Sequence, residues 1–231
     1  MCRINFSGPA LFALLVFGAG VPYAGATTFS FTSASSFDAV TNSLSTQTFN
    51  DVASTIDVGP YGLGDSDNPL NNTTNSGMLP GLTIDSTTTQ IDITGPGLFG
   101  LTNYAVSSND FGSGLNFLFS PGVTAVSLDV LTYFSSANVD ITVYDPSDVL
   151  LGIFEAPNAP DTAGEFFGIT TSSDTIGSVD IIAPGAFVGA DQVQFGSDGA
   201  STPVVPEPSS LWLLGSGLLG MIGAARRKLK V

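Results

Sequence analysis

This 231-residue chain has no histidine, one cysteine and few of the cationic residues Lys and Arg. There is no histidine, and Cys2 is the only cysteine. The region Thr27–Val205 contains no Lys or Arg, yet it holds nineteen of the twenty carboxylate side chains, all except Glu207. The five cationic residues of the chain lie at its two ends, and they are Arg3, Arg226, Arg227, Lys228 and Lys230.

These absences exclude several classes of function. Nucleic-acid binding requires Lys or Arg to neutralise phosphates, and a phosphate-binding P-loop requires its lysine. Ser-His-Asp and Cys-His catalysis have no base, and a zinc site has neither His nor Cys ligands. What remains is carboxylate chemistry, binding of hard cations such as Ca²⁺, and uncharged polar or aromatic contacts. The acidity also suits a solvated, soluble surface.

The N-terminus has the pattern of a secretory signal peptide. Arg3 supplies a positive first segment, Pro9–Gly20 is apolar, and Ala24–Ala26 is a small-residue cleavage site. We place the signal peptide at 1–26, which implies signal peptidase and the general secretion machinery as partners. Cleavage removes Cys2, so the exported chain cannot form a disulfide.

The middle of the chain has the pattern of an all-β domain. Val123–Phe134 alternates apolar and polar residues most clearly, and Pro121 with Gly122 is predicted to form a turn before it. Ser36–Ser43 is predicted to be a short helix, and Asp51–Gly81 a long loop. The predicted strands are Thr27–Thr32, Ser45–Asn50, Leu82–Asp85, Thr89–Ile93, Leu98–Ser107, Gly114–Ser120, Val123–Phe134, Asn138–Tyr144, Val149–Phe154, Phe166–Thr170, Ile176–Ile182 and Asp191–Phe195.

Many short strands separated by turns predict an antiparallel β-sandwich. We place this domain at 27–195 and a small, polar linker at 196–204. The segments Val139–Asp145, Phe166–Ile169 and Asp191–Gly196 also resemble strands of the jelly-roll domains of exported bacterial proteins. Those domains are similar in outline to carbohydrate-binding modules, so the resemblance implies a jelly-roll-like sandwich.

The C-terminus combines three features in order. Pro206, Glu207 and Pro208 form a stiff, non-helical hinge, because each proline fixes its own φ and restricts the residue before it. Leu211–Ala225 is then apolar or small throughout and is predicted to be a helix. A basic cluster follows at once, and such a cluster stays on the cytoplasmic side of a membrane. The cluster consists of Arg226, Arg227 and Lys228, with Lys230 after it.

This order resembles the PEP-CTERM sorting signal of exported bacterial proteins, which we place at 205–231. The resemblance implies cleavage by an exosortase, from a precursor held transiently in the inner membrane. It further implies that the protein reaches the cell surface or the extracellular polysaccharide. The same tail occurs on unrelated domains, including some ice-binding proteins, so it does not specify an activity. An ordinary membrane anchor is the alternative, but Leu211–Ala225 spans only about 22 Å of a bilayer core about 30 Å thick.

Calcium is the one cofactor that the composition suggests. Asp51 follows an early predicted strand and Asp191 opens the last one, and in jelly-roll modules a structural Ca²⁺ often lies where such strands meet. We predict these two carboxylates as ligands; the alternative is that both cap turns by accepting backbone N–H bonds. Asp65 and Asp67 form a second, weaker candidate, because the loop lacks the glycine and glutamate spacing of an EF-hand.

A sugar-binding site would use exposed tyrosines, since the only tryptophan lies in the tail. The candidates are Tyr61, Tyr104 and Tyr133, and the alternative is that they pack in the core or at its rim. We interpret the domain as a non-catalytic structural or carbohydrate-binding component. One alternative is a polysaccharide hydrolase, in which Glu155 or Glu165 would pair with an aspartate. Another is a purely structural adhesin that binds no sugar.

Overall fold

The computed structural model describes residues 28–53, 63–66, 68–88, 90–96, 101–133, 138–156, 164–172 and 175–197. The predicted signal peptide and sorting segment lie outside these residues. Within them, no helix is long and apolar enough to cross a membrane. The elements are β1 Thr28–Phe31, α1 Ala34–Asp38, β2 Ser45–Gln47, α2 Asn50–Ala53, β3 Leu63–Ser66, β4 Leu70–Asn71, β5 Leu82–Ser86, β6 Ile91–Thr94, β7 Ala105–Ser108, β8 Leu115–Val123, β9 Ala125–Tyr133, β10 Val139–Tyr144, β11 Leu150–Ala156, β12 Glu165–Thr171, β13 Ile176–Ile182 and β14 Phe187–Gly196.

The strands form two antiparallel sheets, which confirms the predicted β-sandwich. The order of the eight-stranded sheet is β1-β12-β9-β14-β7-β6-β3, with β2 also paired to β14. The order of the six-stranded sheet is β11-β10-β13-β8-β5-β4. Most neighbours in both sheets are distant in sequence, so the fold rests on long-range pairing.

The core lies between the sheets because the strands alternate as a half-buried sheet requires. In β8, for example, Leu115, Phe117 and Phe119 are buried, whereas Asn116 and Leu118 point outward. The inward residues of both sheets join in one continuous apolar cluster. Because successive side chains point to opposite faces, each polar residue between two core residues is presented on an outer face.

Strand β14 changes neighbours halfway along its length. Gly189 and Ala190 pair with β7, whereas residues 193–195 pair with β2. The register with β9 shifts between Asp191 and Gln194, and Gln192 has a φ of 51°. This is a β-bulge, and it re-aims the side chains beside it.

The structure corrects several predicted boundaries, among them the short helix predicted at Ser36–Ser43, which is Ala34–Asp38. Asn50, predicted to end a strand, begins α2 instead. The predicted loop Asp51–Gly81 contains the short strands β3 and β4, each at the edge of a sheet. The turn predicted at Pro121 and Gly122 lies within β8, which continues to Val123. The predicted strands Asn138–Tyr144 and Val149–Phe154 correspond to β10 and β11, which pair as a hairpin whose turn is closed by the Asp145 N–H donating to the Val149 carbonyl at 2.9 Å.

Candidate functional site

A row of polar side chains crosses the outer face of the six-stranded sheet. Thr142 on β10 lies opposite Asp180 on β13, and Asp180 lies opposite Asn116 on β8. Asn116 in turn lies opposite Asp85 on β5. We call these four residues the polar row. Because neighbouring strands are about 4.8 Å apart, the row extends about 14 Å across the sheet.

Three members of the polar row, Thr142, Asp180 and Asn116, lie between core residues on both sides, and Asp85 follows the buried Ile84. Asp180 lies between Val179 and Ile181, and both of these are fully buried. Asn116 lies between Leu115 and Phe117, which are also buried. A strand pinned in this way cannot slip by one residue without exposing its apolar side chains. The outward position of the row is therefore fixed by the core.

The polar row lies in an open groove of about 360 Å³, within the size range of small-ligand sites. Gly114 lets β8 approach β13 closely at one wall, because a Cβ there would lie 2.7 Å from the Ile181 carbonyl oxygen. The Ser86 hydroxyl donates to the Gly114 carbonyl at 2.9 Å and ties β5 to the same wall. The groove is lined by Asp85, Ser86, Thr87, Gly114, Leu115, Asn116, Thr142, Asp180, Ile181 and Ile182.

Two acceptor atoms at the centre of the groove have no hydrogen-bond partner among the described residues. They are the Oδ1 atoms of Asp180 and Asn116, and both are shielded from solvent. Burial raises the pKa of Asp180, and the charge of Asp148 raises it further. A buried acceptor without a donor is costly, so these two atoms make this part of the sheet less stable than a fully hydrogen-bonded one would be.

Exposed aliphatic side chains flank the polar row. Ile153 is 69% exposed, and Ile182 and Leu118 are 38% and 37% exposed. Tyr144 is partly exposed and belongs to the next outward row, where it lies opposite Ser178. An apolar flank beside a few fixed polar groups is the usual composition of a small-ligand site.

In the eight-stranded sheet, the structure places Asp191 beside another carboxylate. Asp191 lies directly opposite Asp129 of β9. Burial raises the pKa of Asp191, although hydrogen bonds from the Gln192 backbone and the Asn103 side chain lower it. Burial also raises the pKa of Asp129 to about 6, with further contributions from the charges of Asp191 and Glu165.

The other predicted site residues lie apart from the groove lining. Tyr133 is only 2% exposed and packs in a small apolar cluster, so its ring does not offer an exposed platform. Tyr104 is partly buried against the main core. Glu155 on β11 accepts a hydrogen bond from Asn138, and Glu165 begins β12 of the other sheet. Tyr61 lies outside the described residues.

Calcium binding stays a prediction. Asp51 is exposed on α2, whereas Asp191 is buried on β14. Asp65 contributes backbone to β3, and Asp67 lies outside the described residues. Among the side chains that the structure describes, no group of three or more Asp, Glu, Cys or His residues could hold a metal ion.

A melting experiment tests the calcium prediction. If Ca²⁺ binds only the folded chain, it stabilises that chain by mass action. We expect a chelator to lower the melting temperature, and Asp51→Ala or Asp191→Ala to remove most of this sensitivity. Asp38→Ala removes one negative charge at an exposed position of α1, and the sensitivity to the chelator should then be unchanged. Equal melting temperatures in chelator and in millimolar calcium would contradict the prediction.

The C-terminal segment matches a known protein family. Residues 204–228 match the PEP-CTERM protein-sorting motif. This confirms the resemblance drawn from the sequence, although it covers only the tail and lies outside the described residues. It includes the predicted sorting residues Pro206, Glu207, Pro208, Arg226, Arg227 and Lys228.

The sandwich domain was compared with proteins of known function and structure. No curated protein matches the chain. Among solved structures, a CBM6 module from Clostridium stercorarium in complex with cellobiose has 19% identity and a TM-score of 0.31, over 49% of this chain and 87% of the module. A CBM29-2 mutant has 11% identity and a TM-score of 0.35, and the match covers 63% of this chain and 97% of the mutant module. The CBM22-1 xylan-binding domain from Paenibacillus barcinonensis Xyn10C has 12% identity and a TM-score of 0.33, and the match covers 58% of this chain and 94% of that domain.

Sequence reasoning missed the polar row, although each member carries a local signal. In β13, for instance, Asp180 is a single polar residue between Val179 and Ile181, which marks an outward position in a strand. The same pattern surrounds Asn116 and Thr142. Which strands lie side by side could not be read from the chain, so the signals could not be assembled into one site.

Proposed function

We propose that this chain is an exported protein whose PEP-CTERM tail is processed by an exosortase, and whose β-sandwich binds extracellular polysaccharide without catalysing a reaction. The mature form would lie at the cell surface or outside the cell, after a transient stage in the inner membrane. The sorting motif at 204–228 supports export. The N-terminal pattern at 1–26 supports entry into the secretion pathway.

The polar row in its open groove is the observation that carries the binding proposal. A sugar chain presents many hydroxyl groups and apolar ring faces. The row offers Thr142, Asp180, Asn116 and Asp85 in a line about 14 Å long, and Ile182 and Leu118 lie beside it. A linear oligosaccharide lying along the row would bring hydroxyl donors to the carboxylates of Asp85 and Asp180 and cover the aliphatic side chains.

Binding of oligosaccharides to the purified full chain in mild detergent tests this function. We expect a glycan array to identify at least one polysaccharide fragment. Asp180→Ala and Asn116→Ala should each weaken its binding about tenfold, since a hydrogen bond to a buried or charged group contributes about 1.5 kcal/mol. Asp38→Ala is the matched control and should bind as the unmodified chain does.

Two other results would contradict particular parts of this proposal. A folded chain that binds no glycan would contradict the proposal and favour a purely structural or adhesive component. Release of shorter sugars from a polysaccharide would contradict the non-catalytic part and favour a hydrolase. Circular dichroism of each variant distinguishes loss of the groove from loss of the fold.

A further inference from the structure

The hydrogen-bonding groups of the groove are mainly acceptors. The carboxylates of Asp85 and Asp180 accept only, when ionised. One oxygen of Asp85 already accepts the Ser86 N–H at 2.7 Å. The Ser86 hydroxyl donates its proton to the Gly114 carbonyl and is therefore engaged. The Asn116 amide and the hydroxyls of Thr87 and Thr142 can donate as well as accept. The two carboxylates are therefore what favours a ligand rich in donors.

The charge of the groove is negative and has no counter-charge in the domain. Asp148 acts on Asp180 from the hairpin turn after β10. The region Thr27–Val205 has no Lys, Arg or His that could neutralise either carboxylate. An anionic sugar such as a uronate would place like charges together in a partly desolvated site, which is strongly unfavourable. A cationic group would instead satisfy the acceptors and the charge at once.

Stacking on aromatic rings cannot dominate binding at the polar row. Among the residues that line the groove, none is aromatic, and its apolar surface comes from Leu115, Ile181 and Ile182. Aliphatic contacts give some affinity through area burial, but they do not discriminate among sugar types. Selectivity must therefore come from the polar row.

We propose that this groove is selective for polysaccharides that carry free amino groups, such as partly deacetylated hexosamine polymers, and excludes acidic ones. An ammonium group has three N–H donors and no acceptor, and it forms charge-assisted hydrogen bonds with carboxylates. Lying over the polar row, it would pair with the carboxylates of Asp180 and Asp85, which flank Asn116 in the row. This inference rests on the proposed function and names the ligand class of the same site.

The test compares four oligosaccharides of matched length by titration calorimetry on the full chain, in mild detergent and at physiological salt. They are β-1,4-linked oligomers of glucosamine, N-acetylglucosamine, glucose and glucuronic acid. We expect the glucosamine oligomer to bind about tenfold more tightly than the two neutral oligomers, since hydrogen bonds to charged groups are roughly twice as strong as neutral ones. The glucuronate oligomer should not bind.

Variants connect the selectivity to the groove. Asp180→Asn keeps the shape and removes the charge, so the advantage of the glucosamine oligomer over the neutral oligomers should be lost. Asp85→Asn should reduce the advantage in part. Asp38→Asn, which removes one charge from α1, should leave it unchanged. A lysine oligomer, a polycation without sugar rings, should bind more weakly than the glucosamine oligomer.

The outcomes separate this inference from the proposed function. Equal binding of glucose and glucosamine oligomers, with both lost in Asp180→Ala, would overturn the selectivity and support the binding site. Tight binding of glucosamine that survives Asp180→Asn, or is matched by the lysine oligomer, would show general attraction to an acidic surface and overturn the inference. Failure of all four oligomers to bind would count against the proposed function itself.

Discussion

Replacement of Pro206 and Pro208 by alanine is expected to leave the chain in the inner membrane as an uncut precursor. The two prolines are predicted to hold Glu207 extended, and a membrane protease would need such an extended peptide in order to cut it. Alanine is the best helix former. The predicted helix from Leu211 would therefore extend backwards over Glu207 and hide the bond. The sandwich domain should still face outwards, because the basic cluster is unchanged.

Neutral residues in place of the basic cluster should cause a different failure. Arg226, Arg227 and Lys228 hold the end of the chain on the cytoplasmic side. Without them the helix should insert poorly, and the chain should reach the medium with its tail intact. The domain itself has no cation to compensate, since every Lys and Arg of the chain lies near one end or the other.

Cell fractionation, an antibody to the tail and intact-mass measurement distinguish these outcomes. The unmodified mature chain should begin near Thr27 and end near the Pro206–Pro208 hinge. Alanine at Pro203, which lies in the linker before the motif at 204–228, is a control and should not affect cleavage. If both tail variants were cut and exported like the unmodified chain, the proposed sorting role of this segment would be wrong.

Most strands could be predicted because their alternation follows directly from burial. In β9, Val126, Leu128 and Val130 face the core and Ser127 and Asp129 alternate with them, as the sequence pattern indicates. The start of β14 was missed because Gly185 and Gly189 are poor strand formers. Tertiary contact explains Gly189, since a Cβ there would lie 2.8 Å from the Val106 carbonyl oxygen.

Proline-containing segments were harder to predict because the tolerance for proline depends on the neighbouring strands. Pro121 lies within β8, where the pairing jumps from Leu118 opposite Ser178 to Val123 opposite Ile176. At such a bulge the missing proline N–H breaks no regular ladder. Pro69 precedes β4, an edge strand with one neighbour. Neither situation can be recognised from the local sequence.

The chemical character of the candidate site could be predicted from the sequence, but its residues could not. Composition points to uncharged and carboxylate contacts and to a sandwich. The sandwich is confirmed, and the groove lining contains side chains of both kinds. The prediction that tyrosines form a sugar-binding platform rests on residue type alone, and Tyr133 is buried in the structure. Asp85 and Asp180 meet in one row because β5, β8 and β13 are neighbours in the sheet, although they are far apart in the chain. Long-range strand order is the information that the sequence does not display.

The domain is expected to become less stable as the pH rises from about 4 to about 6, the reverse of ordinary acid denaturation. Asp129 has a folded-state pKa of about 6 against an ordinary value of 3.8, because it is partly buried and faces Asp191 from β14 and Glu165 from β12. A raised pKa means that the folded chain binds this proton more tightly than the unfolded chain does. The resulting stability is fully present below about 4 and is lost as the pH passes about 6. Burial also raises the pKa of Asp191 and Asp180, and these groups act in the same direction.

Asp129→Asn removes the ionising group at the centre of this cluster while keeping its shape. The melting temperature at pH 7.5 should rise by a few degrees, since 1 kcal/mol corresponds to about 2–4 °C for a domain of this size. The fall in melting temperature between pH 4 and pH 7 should become shallower, with a residual slope from Asp191 and Asp180. Asp38→Asn, on an exposed helix, should preserve the full slope. The measurement is calorimetry from pH 4 to pH 8 in buffers of equal ionic strength. A melting temperature that increases with pH across this window, or the same slope with and without Asp129, would show that the pair of carboxylates on β9 and β14 does not destabilise the domain.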